Sequence, residues 1–361
     1  MKINLNNDDT QKLYKLLETK QDNISIADLL NNLCFSFEPH PNIYENGIND
    51  KDINKNSINL IYDLFELDPN NSDNASVINS YLSDSFKHIN LNEYNDNPYK
   101  KSVKIKETTQ NSYKLHYLTY NKFSYFPYKD VEVDDSNFYK EKTTIGISNE
   151  DYSFLTLSKN NNIWMCITPN EINTMKYSIN KAHDNVITFG LGLGYYAYMV
   201  SLKKEVTTIT IVERDVEIIN LFNTYILPHF EFKNKIKIIK EDAIEYIKET
   251  KLANYDYAFF DLWHNAEDGL PLYLQIKKLE IIPPQDYWIE ESLICMYRRC
   301  LLTVFEESLY EYSDDAYRKA KNSIDKIINE LYFKTKNIRF KSYEEIDNFI
   351  SKNNLLKFMQ K

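Results

Sequence analysis

Gly190, Gly192 and Gly194 interrupt the apolar run VITFGLGLGYYAYM, and they constrain what this chain can build more than any other feature. Half of the chain's 6 glycines fall here. VITF reads as a buried strand and YYAYM as the opening of a helix, so the glycines form the turn between them. Without a Cβ, such a turn can bend tightly and let a ligand press against its backbone. A tight strand-to-helix turn that holds no ligand satisfies the same pattern.

Downstream, TTITIVE, KIKIIKE and DYAFFD are buried-type strands separated by amphipathic helical stretches. Parallel strands need crossover connections, so this alternation predicts an α/β fold: a doubly wound, mostly parallel sheet with helices on both faces. LPLYLQIKKLE continues as a helix, IIPPQ breaks it, and DYWIE is expected as a fifth parallel strand. Four segments result: a mainly helical region over 1–112, a small antiparallel β unit over 113–168, the α/β unit over 169–290, and a helical extension over 291–361. Within the first, apolar spacing and cap residues predict two short helices over 8–35 and further helices over 58–67 and 77–89. Asn-, Asp- and Lys-rich loops are expected over 45–57, 68–75 and 92–112. A helix is expected over 170–181, leading into the first parallel strand. The tail from Ser292 reads as three helical stretches, and from Asp314 onward the alternation of charged and apolar residues suits docking or homodimerisation.

A chain of 361 residues with 43% apolar and 27% charged residues is long enough for two or three packed units. Its formal charge of −10 repels phosphates, which argues against a nucleic-acid partner and for a neutral or cationic substrate. The 4 cysteines are widely spaced, with no metal-ligand pattern, and read as reduced thiols. With no signal-peptide core and no apolar run long enough to span a bilayer, a cytoplasmic location without membrane contact is expected.

The glycines acquire chemical meaning from acids at successive strand ends. Glu213 closes the second strand 19 residues after Gly194, about the separation that puts a carboxylate on a ribose diol. Sites for NAD and for S-adenosylmethionine share that feature, but Tyr195 stands where the dinucleotide fingerprint has its last glycine. Asp242 follows the third strand and Asp261 ends the fourth. At these residues the sequence resembles the class I S-adenosylmethionine-dependent methyltransferases. The resemblance implies a Rossmann-like domain with S-adenosylmethionine as cofactor: Gly190, Gly192 and Gly194 pack on its methionine portion, Glu213 binds its ribose, and Asp242 approaches its adenine. Asp261 falls beside the reacting centre.

A small β unit ahead of the α/β unit is similar to the spermidine-synthase-like branch. SYFPYKDVEV and ITPNEINTM stand where that branch has its β portion and the lead into strand one, making Glu171 a candidate for the ligand's amino end or for substrate. Where aminopropyltransferases carry D-[ST]-[ST]-D-P after strand four, this chain has DLWHNAEDG, which lacks the second acid. The resemblance therefore implies an S-adenosylmethionine-dependent transferase, methyl rather than aminopropyl, acting on a small-molecule or protein acceptor. A nucleoside-binding protein without turnover and an NAD(P)-dependent oxidoreductase are the rivals. Asp261 is either catalytic or a helix cap, and His264, in the same loop, either a general base or a structural histidine. Trp263 is a candidate wall of the substrate pocket, against a default of core packing. For Arg298 and Arg299, ion pairs with acidic helix residues are expected rather than phosphate contacts.

Overall fold

A computed structural model describes residues 1–35, 38–45, 47–310 and 320–360. Its centre is a five-stranded, all-parallel sheet. Strand one, Asp184–Phe189, lies in the middle, with strand two, Val206–Glu213, and strand three, Ile236–Lys240, on one side. Strand four, Tyr257–Phe260, and strand five, Gln285–Tyr287, lie on the other. Helices Tyr195–Ser201, Val216–Leu221, Ala243–Thr250 and Ala266–Lys277 make the four crossovers. Val186, Ile187, Phe189, Ile209, Ile211 and Phe259 are buried, because a parallel sheet covered on both faces leaves no solvent side for polar alternation. The chain is thus a mixed α/β protein with a parallel sheet; its fifth strand takes only Asp286 and Tyr287 from DYWIE, with Gln285 before them, and Glu290 already opens the next helix.

Several local expectations give way to longer-range packing. The predicted pair of N-terminal helices is one helix, Asn7–Phe35. Asn23 resembles a cap in sequence, but its side chain is buried, donating to the Tyr139 carbonyl at 3.0 Å and accepting from the Glu141 N–H at 2.9 Å. No glycine or proline breaks the run there, and Leu13, Leu16, Ile26, Leu30 and Leu33 continue one buried face through it. The helix expected from residue 58 begins at Asp50, capped by Asn49, so part of the 45–57 stretch is helical. The helix expected over 77–89 is Ser72–Leu82, and Phe86–His88 is a strand. The 92–112 stretch holds helices Asn92–Asn95 and Pro98–Ser102 and strand Thr108–Gln110.

Thr108–Gln110, Tyr113–Tyr120, Tyr152–Lys159 and Asn162–Cys166 form an antiparallel sheet, so the β region begins before residue 113. It packs with the parallel sheet and the C-terminal helices into one buried cluster running from Leu13 to Met359. The tail forms helices Glu290–Leu309, Ser323–Thr335, Tyr343–Ile350 and Lys352–Met359; residues 311–319, where part of a helix was expected, lie outside the described residues. Leu331, Ile346, Ile350, Leu355 and Met359 are buried against this chain's own core. No described helix is long and apolar enough to cross a membrane.

The two arginines find partners other than acidic helix residues. Arg299 grips Glu141, on strand Lys140–Lys142, with both Nε and Nη2. Arg298, 2% exposed, donates to the Ile350 carbonyl and lies 4.5 Å from the centre of the Tyr139 ring.

Candidate functional site

The strand order three-two-one-four-five makes successive crossovers leave strand one in opposite directions. That reversal opens a crevice at the carboxyl ends of strands one and four, the usual ligand position in open parallel sheets. Gly190, Gly192 and Gly194 stand at its edge with φ of 93°, 52° and 71°. A Cβ on Gly190 would overlap the carbonyl oxygen of Asp261, and one on Gly194 would overlap the Phe222 ring. The chain's own packing therefore requires these two glycines. A Cβ on Gly192 would meet the Met165 sulfur at 2.9 Å, the far end of a flexible side chain. Gly192 is thus the glycine at which close approach by a ligand is decided by a movable group.

Glu213 ties the loop down. One carboxylate oxygen accepts from the Leu191 N–H at 3.1 Å and the other from the Asp215 N–H at 2.8 Å. A carboxylate has about four lone-pair positions, so two remain for a ligand's hydroxyls. Further support comes from residues 97–102, which the sequence had placed in a loop. Tyr99 donates its hydroxyl to the Leu193 carbonyl at 2.5 Å, Asn97 donates to the Tyr195 hydroxyl at 3.1 Å, and Tyr198 donates to Ser102 at 2.7 Å. The Asn97–Pro98 pair, a cap followed by proline at the first helical position, was the available sequence signal for this short helix. Asp242 is exposed and caps Ala243–Thr250, accepting from the Ile244 and Glu245 N–H groups through one oxygen.

Glu171 lies in the first turn of helix Pro169–Lys181, near enough to Asp261 to feel its charge. Burial holds the Glu171 carboxyl protonated well above the usual carboxylate range, and the neighbouring Asp261 charge raises it further. Burial alone pushes Asp261 up to about 7. The same surroundings push the Cys166 thiol to about 12, through burial and then the Glu171 charge. A folded acid titrating near 7, against an ordinary 3.8, binds a proton between those values that the unfolded chain has released. Its contribution to stability therefore declines as pH rises from about 4 to 7 and does not return above. Asp261→Asn is expected to stabilise the protein by roughly 4 kcal/mol at pH ~8, with the gain vanishing near pH ~4. Thermal unfolding across that range checks it, and an unchanged melting temperature at the alkaline end would count against the assignment.

His264 is half exposed; its Nδ1 lies 2.8 Å from Asp268, which leaves Nε2 without that constraint. Asp268 also accepts from the Asn265 N–H and completes the capping box of Ala266–Lys277, so the histidine is anchored to a helix end. Trp263 serves the core: it is 6% exposed, donates to the Trp288 carbonyl at 3.1 Å and meets Tyr273 edge-on. The aromatic residue that does stand at the crevice is Trp164, whose ring meets His264 at 4.3 Å between centroids. A separate cleft of about 750 Å³ is lined by Tyr128 to Val133 of SYFPYKDVEV, by Asn173 and Thr174 of ITPNEINTM, and by Lys176, Glu291 and Lys352 among others, but by none of the candidate site residues.

Compared with known protein families and with curated proteins, the sequence matches none.

Proposed function

We propose that the chain is a Rossmann-like, S-adenosylmethionine-dependent transferase, moving a methyl group to a small-molecule or protein acceptor. The observation that carries this is the strand-order reversal, with a left-handed glycine loop at its edge held by a carboxylate that keeps lone pairs free. At Gly192 the backbone is covered only by the movable Met165 thioether, and Glu213 is of the right chemistry for a ribose diol, so the residues fit the nucleoside. When bound, S-adenosylmethionine supplies an activated sulfonium methyl.

The protein's part is then to orient the acceptor, exclude water and take up the acceptor's proton. Asp261, with a pKa of about 7, is matched to that last task near neutral pH. His264, held at Nδ1 by Asp268, presents its other nitrogen from the same loop.

Calorimetry tests the reading: heat is expected on titration with S-adenosylmethionine and none with NADH. Glu213→Gln, which keeps size but loses charge, is expected to weaken that binding by about tenfold or more. Binding of NADH alone would sink the proposal.

A second reading, aminopropyl transfer, draws support from the paired acids Glu171 and Asp261, which suit an ammonium group. Incubation with decarboxylated S-adenosylmethionine and putrescine tests it, thioether product being the positive result.

A further inference from the structure

Hairpin strand Asn162–Cys166 crosses above the crevice, and its pairing with Tyr152–Lys159 is interrupted at one residue. Ile163 pairs with Ser158 and Met165 with Leu157, so Trp164 is the extra residue of a β-bulge. Bulges bend a strand and re-aim a side chain. Here the neighbours span three strand ends. Trp164 packs edge-on against His264, after strand four, while the next residue, Met165, stands over Gly192, after strand one. Lys159 lies 4.9 Å from the Trp164 ring centre and 3.7 Å from Asp215, after strand two.

The indole nitrogen of Trp164 is shut off from solvent and has no hydrogen-bond partner. Native proteins seldom leave a buried donor unpaired, and one beside a ligand crevice calls for an acceptor from outside the chain. Charge is divided across this opening. The strand ends of the sheet carry the carboxyls of Glu213 and Asp261, with Glu171 of helix Pro169–Lys181 near Asp261, whereas the hairpin brings the indole N–H and the Lys159 ammonium, the latter shared with Asp215. A ligand that fits between them has hydroxyls or an ammonium toward the sheet and an anionic oxygen toward the hairpin.

We infer that Trp164 is a ligand-binding residue, its indole N–H donating to the carboxylate of an amino-acid-tailed nucleoside on the glycine loop, with Lys159 adding favourable charge. This rests on the adenosyl reading above and sharpens it: the site selects a cofactor that keeps its carboxylate, hence methyl rather than aminopropyl donors.

Calorimetry on the full chain and on Trp164→Phe, with S-adenosylmethionine and with 5′-methylthioadenosine, tests the inference. Methylthioadenosine has the nucleoside and a thioether but no carboxylate. The phenyl ring keeps most of the packing and removes the N–H. The variant is expected to bind S-adenosylmethionine about tenfold more weakly and methylthioadenosine with less than about twofold change. Lys159→Met, which leaves the indole in place, is expected to narrow the preference between the two ligands in the same direction. Equal loss for both ligands in Trp164→Phe, or no loss for either, overturns the carboxylate contact while the adenosyl reading stands. If the unaltered chain binds neither ligand, the adenosyl reading falls and this inference with it.

Discussion

Gly190→Ala is expected to destabilise the protein by at least about 4 kcal/mol, a large share of the ~5–15 kcal/mol that holds a typical domain folded. Two costs add. At φ 93° a side chain is strained wherever it points. The added Cβ would also overlap the Asp261 carbonyl oxygen and lie 3.0 Å from its carbon, and neither atom can retreat. Asp261 is fixed by its own N–H, which donates to the Phe189 carbonyl at 2.9 Å, while the Gly190 N–H donates to the Val212 carbonyl at 3.0 Å. Strands one, two and four are thereby locked at one point. At roughly 2–4 °C per kcal/mol for a chain of this order of size, the melting temperature should fall by about 10 °C or more. Gly192→Ala is the control: its φ of 52° is accessible to alanine at modest cost, and the Met165 thioether can move. It should lose only about 1–2 kcal/mol. Equal melting temperatures for the two variants would show that the close approach to Asp261 is not what requires glycine at 190.

Arg299→Ala should cost about 3–5 kcal/mol, because it leaves the Glu141 carboxylate buried without its ion-pair partner. Glu141 is 9% exposed, and Arg299 binds it through Nε at 3.1 Å and through Nη2. The pair joins a hairpin strand, Lys140–Lys142, to helix Glu290–Leu309, and the Asn23 side chain pins the same hairpin to the N-terminal helix through the Glu141 N–H. The double variant Arg299→Met with Glu141→Leu is expected to recover most of the loss, since matched apolar residues remove the desolvation cost of both charges. Denaturant unfolding of the two single variants and the double measures the coupling. Additive losses would mean that the arginine acts through its alkyl packing and not through the pair.

The parallel sheet was legible because its strands report their own burial: VITF and YAFF are apolar and buried on both faces, whereas helices Val216–Leu221 and Ala243–Thr250 bury one face only. The glycine turn and the acids Glu213, Asp242 and Asp261 were legible for the same reason, since the end of a strand is a local property. Their roles were less so. Asp242 is a helix cap, Gly190 and Gly194 answer to Asp261 and Phe222, and Trp263 belongs to the core, each fixed by a neighbour that local pattern does not name. The N-terminal helix shows the limit most plainly. Asn23 has the composition of a break, yet a hydrogen bond to a distant hairpin carries the helix through it.

The sequence by itself determined the sheet, the turn that follows its first strand, and the acids that crown its strands. Periodicity encodes which face of an element is buried, and strand ends follow from where that pattern stops. Only the tertiary structure decided what covers each face. It brought Glu171 within range of the Asp261 charge, Tyr99 against the glycine loop, and the bulged Trp164 against His264, because such meetings depend on packing between segments far apart in the chain.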